Sequence, residues 1–136
     1  MSAVTRFFFT PVRESRSTWA VIKWWESRRL AYNLTVGAAG LLTLGAHGLF
    51  FSLLPPRAPS SGVAWAVVPF YAVLANLCYT LGSAADLFIR RKWGDAYEAV
   101  GPTMFRYGFV FSVGLTLLPI PMFAIAWLFR VFGLGS

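Results

Sequence analysis

Three long stretches without Lys, Arg, Asp or Glu constrain the fold of this chain more than any other feature. They cover residues 30–56, 58–85 and 107–129. A bilayer core about 30 Å thick is crossed by about 20 helical residues, and only helices or closed barrels satisfy their backbone groups in lipid. The runs are continuous rather than alternating, which favours helices. We therefore predict an all-α polytopic membrane protein with three transmembrane helices, at about residues 31–54, 63–89 and 104–130.

Composition supports the same conclusion. Of the 136 residues, 57% are hydrophobic and 12% are charged, whereas soluble domains carry roughly 25% charged residues. We therefore do not expect a water-soluble globular fold. A disulfide-stabilised scaffold is excluded as well, because the chain has one cysteine, Cys78.

The positive charges predict an orientation. Ten of the twelve Lys and Arg residues precede the first span or lie between the second and third spans, up to Arg106, leaving only Arg57 and Arg130 for the opposite side. Cytoplasmic loops are enriched in Lys and Arg, so we expect a cytoplasmic N-terminus and a C-terminus on the opposite side of the membrane. The net charge of +7 then indicates topology and contact with anionic lipids, and no nucleic-acid partner is expected.

Residues 1–30 are predicted to form a cytoplasmic arm, and residues 31–136 the transmembrane domain. Within the arm, residues 17–30 have the pattern of an amphipathic helix lying on the membrane surface, with Ser17 as its N-cap. Aromatic and basic side chains favour the membrane–water boundary. The predicted interfacial anchors are Trp19, Trp24, Trp25, Arg28, Arg29 and Trp93.

The second span has two different faces on a helical projection. The lipid-facing side is predicted to carry Phe70, Leu74, Leu77, Leu81 and Phe88, and the protein-facing side Pro69, Ala72, Asn76, Tyr79, Thr80, Ser83 and Asp86. An unpaired amide in lipid costs several kcal/mol, so Asn76 is predicted to have a partner on another helix. Asp86 is predicted to pair with Arg90 one turn later.

Small and polar side chains on the other spans predict close packing, either within the chain or against a partner. The predicted packing residues are Gly37, Gly40, Thr43, Asn76, Tyr79, Thr80, Ser83, Gly108, Ser112 and Thr116. Pro119 and Pro121 lack backbone N–H groups, so the third span is predicted to bend beside them.

Few side chains here could carry chemistry. The only histidine, His47, follows Thr43 by one turn, a spacing similar to the pigment-binding helix of bacterial light-harvesting polypeptides; a structural histidine is the main expectation, and an axial ligand to haem or chlorophyll the alternative. One His and one Cys cannot assemble a metal cluster. We expect no metal site, no catalysis and no cofactor beyond bound lipids.

Two stretches carry a resemblance, residues 24–33 (WWESRRLAYN) and 76–82 (NLCYTLG). Together they resemble a group of small, uncharacterised bacterial inner-membrane proteins with a WWExRRxxYN motif beside the membrane. The resemblance covers about half of the chain. It implies a polytopic protein of the bacterial inner membrane, so that the C-terminus would be periplasmic, and it carries no assigned activity.

The functional hypothesis from the sequence is a non-catalytic accessory subunit of a larger inner-membrane assembly. A photosynthetic or respiratory complex is the preferred host, and the partners would be other integral membrane subunits, lipids or pigments. One alternative is a small homo-oligomeric transporter or channel lined by the Asn76–Asp86 stripe. The other is a tetrapyrrole-binding protein with His47 as axial ligand.

Overall fold

The computed structural model describes residues 2–9, 17–58, 65–93 and 100–134. Within these ranges the chain forms five α-helices: α1 (Ala3–Phe9), α2 (Thr18–Gly48), α3 (Val67–Trp93), α4 (Val100–Leu117) and α5 (Pro119–Val131). A π-helical segment, Leu49–Leu53, continues α2. Three helical units are long and apolar enough to cross a membrane, namely Thr18–Leu53, Val67–Trp93 and Val100–Val131. The predicted all-α fold with three such helices is confirmed, and the additional N-terminal helix is α1, at Ala3–Phe9.

The first long helix differs from the prediction in one respect. Residues 17–30 are helical and Ser17 caps them, its Oγ accepting a hydrogen bond from Ala20 N at 3.2 Å. They do not form a separate surface helix, however, because α2 continues unbroken to Gly48. Between Thr18 and Val36 the sequence contains neither Gly nor Pro, so nothing interrupts the backbone hydrogen bonds. The polar residues of this segment mark one face of a helix rather than its end.

The third unit is interrupted where the two prolines predict a bend. Helix α4 ends at Leu117 and α5 begins at Pro119. Beside this break Thr43 Oγ1 of α2 donates a hydrogen bond of 2.6 Å to the carbonyl oxygen of Thr116. A neighbouring helix therefore satisfies a carbonyl next to the break, as polar side chains commonly do around prolines in membranes.

The core of the bundle lies at one end, which we call the Trp25 end. There α2, α3 and α4 meet around Trp25, whose ring contacts Tyr79 and Phe105 edge-to-face at centroid distances of 5.3 and 5.8 Å, a geometry that aromatic pairs favour. The buried apolar cluster comprises Val21, Trp24, Trp25, Tyr32, Val36, Tyr79 and Phe105. On α3 the predicted lipid-facing residues Phe70, Leu74, Leu77, Leu81 and Phe88 are all exposed on the bundle surface.

The opposite end, which we call the Trp127 end, is tied together by side chains of α5. Trp127 Nε1 donates to the carbonyl oxygen of Pro55 at 3.2 Å. Arg130 donates to the carbonyl oxygens of Phe50 and Pro56. These bonds satisfy carbonyls at and beyond the C-terminus of the first long helix, where a cation is also favoured by the helix dipole.

Candidate functional site

A reciprocal amide pair joins α2 and α3. Asn76 Nδ2 donates to Asn33 Oδ1 at 2.9 Å, and Asn33 Nδ2 donates to Asn76 Oδ1 at 3.2 Å. Arg29 Nη1 adds a third bond to Asn76 Oδ1, at 3.4 Å. The prediction that Asn76 has a partner on another helix is therefore confirmed. Asn33 was missed as a site residue, although it is the one amide side chain in the first span and so the natural partner for Asn76.

Arg29 extends this pair towards the Trp25 end. Its guanidinium forms an ion pair with Glu26 at 2.8 Å and donates to Thr80 Oγ1 at 3.2 Å. It also lies over the Tyr79 ring at 4.8 Å from the centroid. Glu26 and Arg29 are both partly exposed, so this is a polar cluster with no net charge at the surface between α2 and α3.

The most deeply buried polar group is the carboxylate of Asp86, which is 1% exposed. Arg90 Nε donates to its Oδ1 at 3.0 Å, which confirms the predicted pair. Trp25 Nε1 donates to its Oδ2 at 2.9 Å, and the hydroxyl of Tyr79 in turn donates to the backbone carbonyl of Trp25. Gly101 of α4 lies against this carboxylate, since a Cβ there would stand 2.5 Å from Oδ2. We call Trp25, Tyr79, Asp86, Arg90 and Gly101 the carboxylate cluster.

The carboxylate cluster changes the interpretation of the predicted interfacial anchors. Trp19 and Trp93 are exposed, but Trp24, Trp25 and Arg28 lie inside the bundle. Trp25 differs from the expectation because its indole N–H is satisfied internally by Asp86 and needs no interfacial water. The Arg28 guanidinium lies over the Trp24 ring at 4.1 Å and donates to the Trp24 carbonyl. Trp24 and Trp25 thus contact neighbouring helices, through Phe105 of α4 and through Tyr79 and Asp86 of α3, whereas these Arg28 contacts lie within α2.

Hydroxyl groups join the helices further along the bundle. Tyr32 OH donates to Ser112 Oγ at 2.9 Å, linking α2 to α4. The hydroxyls of Tyr71 and Thr116 are 2.6 Å apart, linking α3 to α4. With Thr43 on the Thr116 carbonyl, these bonds place three predicted packing residues (Thr43, Ser112 and Thr116) in helix–helix contacts.

A lateral groove opens between α2 and α3, with the α4–α5 break as its back wall. Its volume is about 430 Å³, and Gly37 and Gly40 form part of its wall. A Cβ added at Gly37 would meet no described atom within 4 Å, and one at Gly40 would lie 4.0 Å from Thr116 Cγ2. Gly40 therefore packs near α4, whereas Gly37 faces the groove and not a neighbouring helix.

The remaining predicted packing residues make fewer contacts between helices. Ser83 is half-buried, and Thr80 is exposed although it bonds Arg29. Gly108 is exposed on α4 and borders a second, smaller cavity of about 110 Å³. On α3, Pro69 and Ala72 are exposed, so the inward face of this helix is narrower than the projection predicts.

His47 lies in an aromatic environment near the Trp127 end. Its ring is stacked on Phe51 at a centroid distance of 4.8 Å and an interplanar angle of 12°. Phe123 contacts it edge-on at 5.3 Å. These contacts are those of a histidine packed among helices, and its possible role as an axial ligand stays a prediction.

The candidate site therefore has two parts. One is the set of polar contacts that joins α2, α3 and α4, and the other is the lateral groove. Within residues 2–9, 17–58, 65–93 and 100–134, no three His, Cys, Asp or Glu side chains come together as a metal site. Comparisons with protein-family models, with curated proteins and with solved structures give no match to this chain.

Proposed function

We propose that this chain is a non-catalytic accessory subunit of a larger membrane assembly. One observation carries the proposal: in the part of the chain that the structure describes, every fully buried side-chain nitrogen and oxygen has a hydrogen-bond partner. The polar groups at membrane depth are therefore used to hold α2, α3 and α4 in one arrangement. This use of polar groups as contacts between helices supports a positional role for the chain.

The mechanism under this proposal is positional. Fixed polar contacts in lipid define which helix faces point outward, and those faces would contact partner subunits and enclosed lipids. The first long helix spans 36 residues, about 54 Å at 1.5 Å per residue, against a hydrocarbon core of about 30 Å. Its first turns, with exposed Trp19, would extend beyond the hydrocarbon and offer a second contact region.

We further propose the bacterial inner membrane as the location, with the N-terminus in the cytoplasm. The charge asymmetry supports this orientation, since α3 ends at the Trp25 end with Arg90, Arg91 and Lys92 and positive residues favour the cytoplasmic side. A photosynthetic or respiratory complex stays the preferred host on the sequence alone.

Purification of the full chain from its native membrane tests the proposal. With a C-terminal affinity tag and a mild detergent, we expect partner chains in constant stoichiometry through affinity and size-exclusion steps. An unrelated three-span protein with the same tag, expressed at the same level, controls for adventitious capture. Recovery of a clean monomer or homo-oligomer from the native membrane would contradict the proposal.

A transporter lined by the Asn76–Asp86 stripe makes a different prediction for Asn76. We expect Asn76→Leu to lower the free energy of unfolding by about 1 kcal/mol, the usual range for interhelical hydrogen bonds in membranes, because Asn33 and Arg29 lose their bonds to it. Unfolding by sodium dodecyl sulfate titration measures this, with Leu77→Val on the lipid-facing side as control. If the variant instead abolished solute flux in vesicles at unchanged stability, the stripe would be a pathway and the accessory role wrong.

A further inference from the structure

The lateral groove has the volume of a small-molecule site. Its volume of about 430 Å³ falls in the range of about 300–1,000 Å³ typical of small-molecule pockets.

Along the groove, the side chains on one face of α2 change from polar to apolar. Its members recur every three or four residues, the spacing of a single helix face, and the middle of the face consists of glycines that leave the groove open. In chain order they are Glu26, Arg29, Asn33, Gly37, Gly40 and Leu44. The last four border the groove directly. On the opposite wall, α3 contributes Val68 and Ala72. The groove is thus mainly apolar, with the asparagines at one end. The hydroxyls of Thr43, Tyr71 and Thr116 also border it, but each is already hydrogen-bonded between helices.

The polar end offers hydrogen-bond donors without net charge. Asn33 and Asn76 close the groove there, and the Glu26–Arg29 ion pair lies directly beside them. Arg29 is partly exposed, so its guanidinium is accessible from outside the bundle. The ester carbonyl and phosphate oxygens of a phospholipid are acceptors that suit such donors. Asn33 and Asn76 already bond each other, so the donor that remains accessible to a ligand at this end is the Arg29 guanidinium.

We propose that the groove holds one acyl chain of a membrane phospholipid, with the glycerol-ester and phosphate oxygens of that lipid at the Arg29 end. The acyl chain fills the space beside Gly37 between α2 and α3, and Gly40 borders that space where α2 packs near α4. The lipid then acts as a structural element between two helices rather than as part of the surrounding bilayer. This inference is independent of the accessory-subunit proposal, because it concerns a site within one chain.

Site-specific photocrosslinking tests the inference. A diazirine-bearing leucine analogue is introduced at Leu44, which borders the groove, or at Leu42, which is exposed on the same helix. The full chain is reconstituted in phosphatidylethanolamine–phosphatidylglycerol vesicles, extracted into mild detergent, washed extensively and then photolysed. We expect phospholipid adducts at Leu44 and detergent adducts at Leu42, both identified by mass, because only the groove retains its lipid.

Two glycine variants provide a matched pair. Gly37→Leu fills the groove, while Gly45→Leu places the same side chain on α2 where a Cβ likewise meets no described atom within 4 Å but outside the groove lining. We expect Gly37→Leu to reduce the phospholipid adduct at Leu44 about ten-fold and Gly45→Leu to leave it unchanged. Equal unfolding midpoints of the two variants exclude misfolding as the cause.

Several results would overturn the inference. Detergent adducts at both positions would show that no lipid is retained. An adduct with a second copy of the chain, or with another protein, would assign the groove to that occupant. An unchanged phospholipid adduct in a folded Gly37→Leu variant would place the lipid elsewhere on the surface.

Discussion

Replacing Asp86 by alanine should lower the free energy of unfolding by about 3 kcal/mol, the cost of breaking a buried ion pair by removing one partner. The carboxylate is 1% exposed and accepts bonds from Arg90 and Trp25. Its removal therefore takes an ionic partner from Arg90 and the acceptor from the Trp25 indole. It also releases the contact between α3 and Gly101 of α4. We expect a larger loss of stability than from truncating a partly exposed polar side chain of the bundle.

Unfolding in mixed micelles by sodium dodecyl sulfate, followed by far-ultraviolet circular dichroism, measures this loss. Asp86→Asn keeps an oxygen acceptor for the Trp25 indole and should cost about half as much. Glu26→Ala removes a carboxylate from a partly exposed pair with Arg29 and should cost about 0.5 kcal/mol or less. Equal effects of Asp86→Ala and Glu26→Ala would mean that Asp86 does not hold the helices together.

Among the glycines in the described part of the chain, Gly101 is the one at which replacement by alanine should be most damaging. The new Cβ would lie 2.5 Å from Asp86 Oδ2 and 3.2 Å from its Cγ. The carboxylate cannot withdraw without loss, because Trp25 and Arg90 both bond it. Overpacking of this kind costs about 1–3 kcal/mol, and we expect a loss of about 2 kcal/mol.

Gly108→Ala on the same helix is the matched control. A Cβ there meets no described atom within 4 Å, so the substitution should be neutral or stabilise α4 by up to about 1 kcal/mol through helix propensity. The same micellar titration compares the two variants. If Gly101→Ala proved as stable as Gly108→Ala, α4 would not pack against Asp86 as described.

The overall architecture could be predicted because it depends on properties read locally along the chain. The length of each stretch without charged residues predicts the three long helices. Helical periodicity places Phe70, Leu77 and Leu81 on the exposed side of α3. The need to satisfy an amide in lipid predicts that Asn76 has a partner. None of these predictions requires knowledge of how two helices are aligned with one another.

Features that depend on the alignment of helices could not be predicted. Trp25 and Asp86 are 61 residues apart, and only the relative positions of α2 and α3 bring them together. An indole N–H is satisfied either by water at the membrane interface or by an acceptor inside the bundle. The sequence does not show that Asp86 lies beside Trp25, so the interfacial position was predicted. The lateral groove was missed for the same reason. Gly37 allows close packing, but whether a helix approaches it depends on how α2 and α3 diverge.

The continuity of α2 shows a different limit. The amphipathic pattern of residues 17–30 predicted a separate surface helix ahead of the first span. Hydropathy reports the environment of a segment, whereas a helix ends where its backbone bonding is broken or capped. The absence of Gly and Pro between Thr18 and Val36 was the signal that could have predicted one continuous helix.

Carbene labelling of the unmodified protein in lipid vesicles tests the central claim most directly, that the three helices turn their polar side chains towards one another. A lipid-soluble diazirine is photolysed in the bilayer, and labelled residues of α3 are identified by mass spectrometry. The account predicts labelling at Leu74, Leu77 and Leu81 and protection of Tyr79 and Asp86. Labelling of Tyr79 and Asp86, with protection of Leu77 and Leu81, would contradict it.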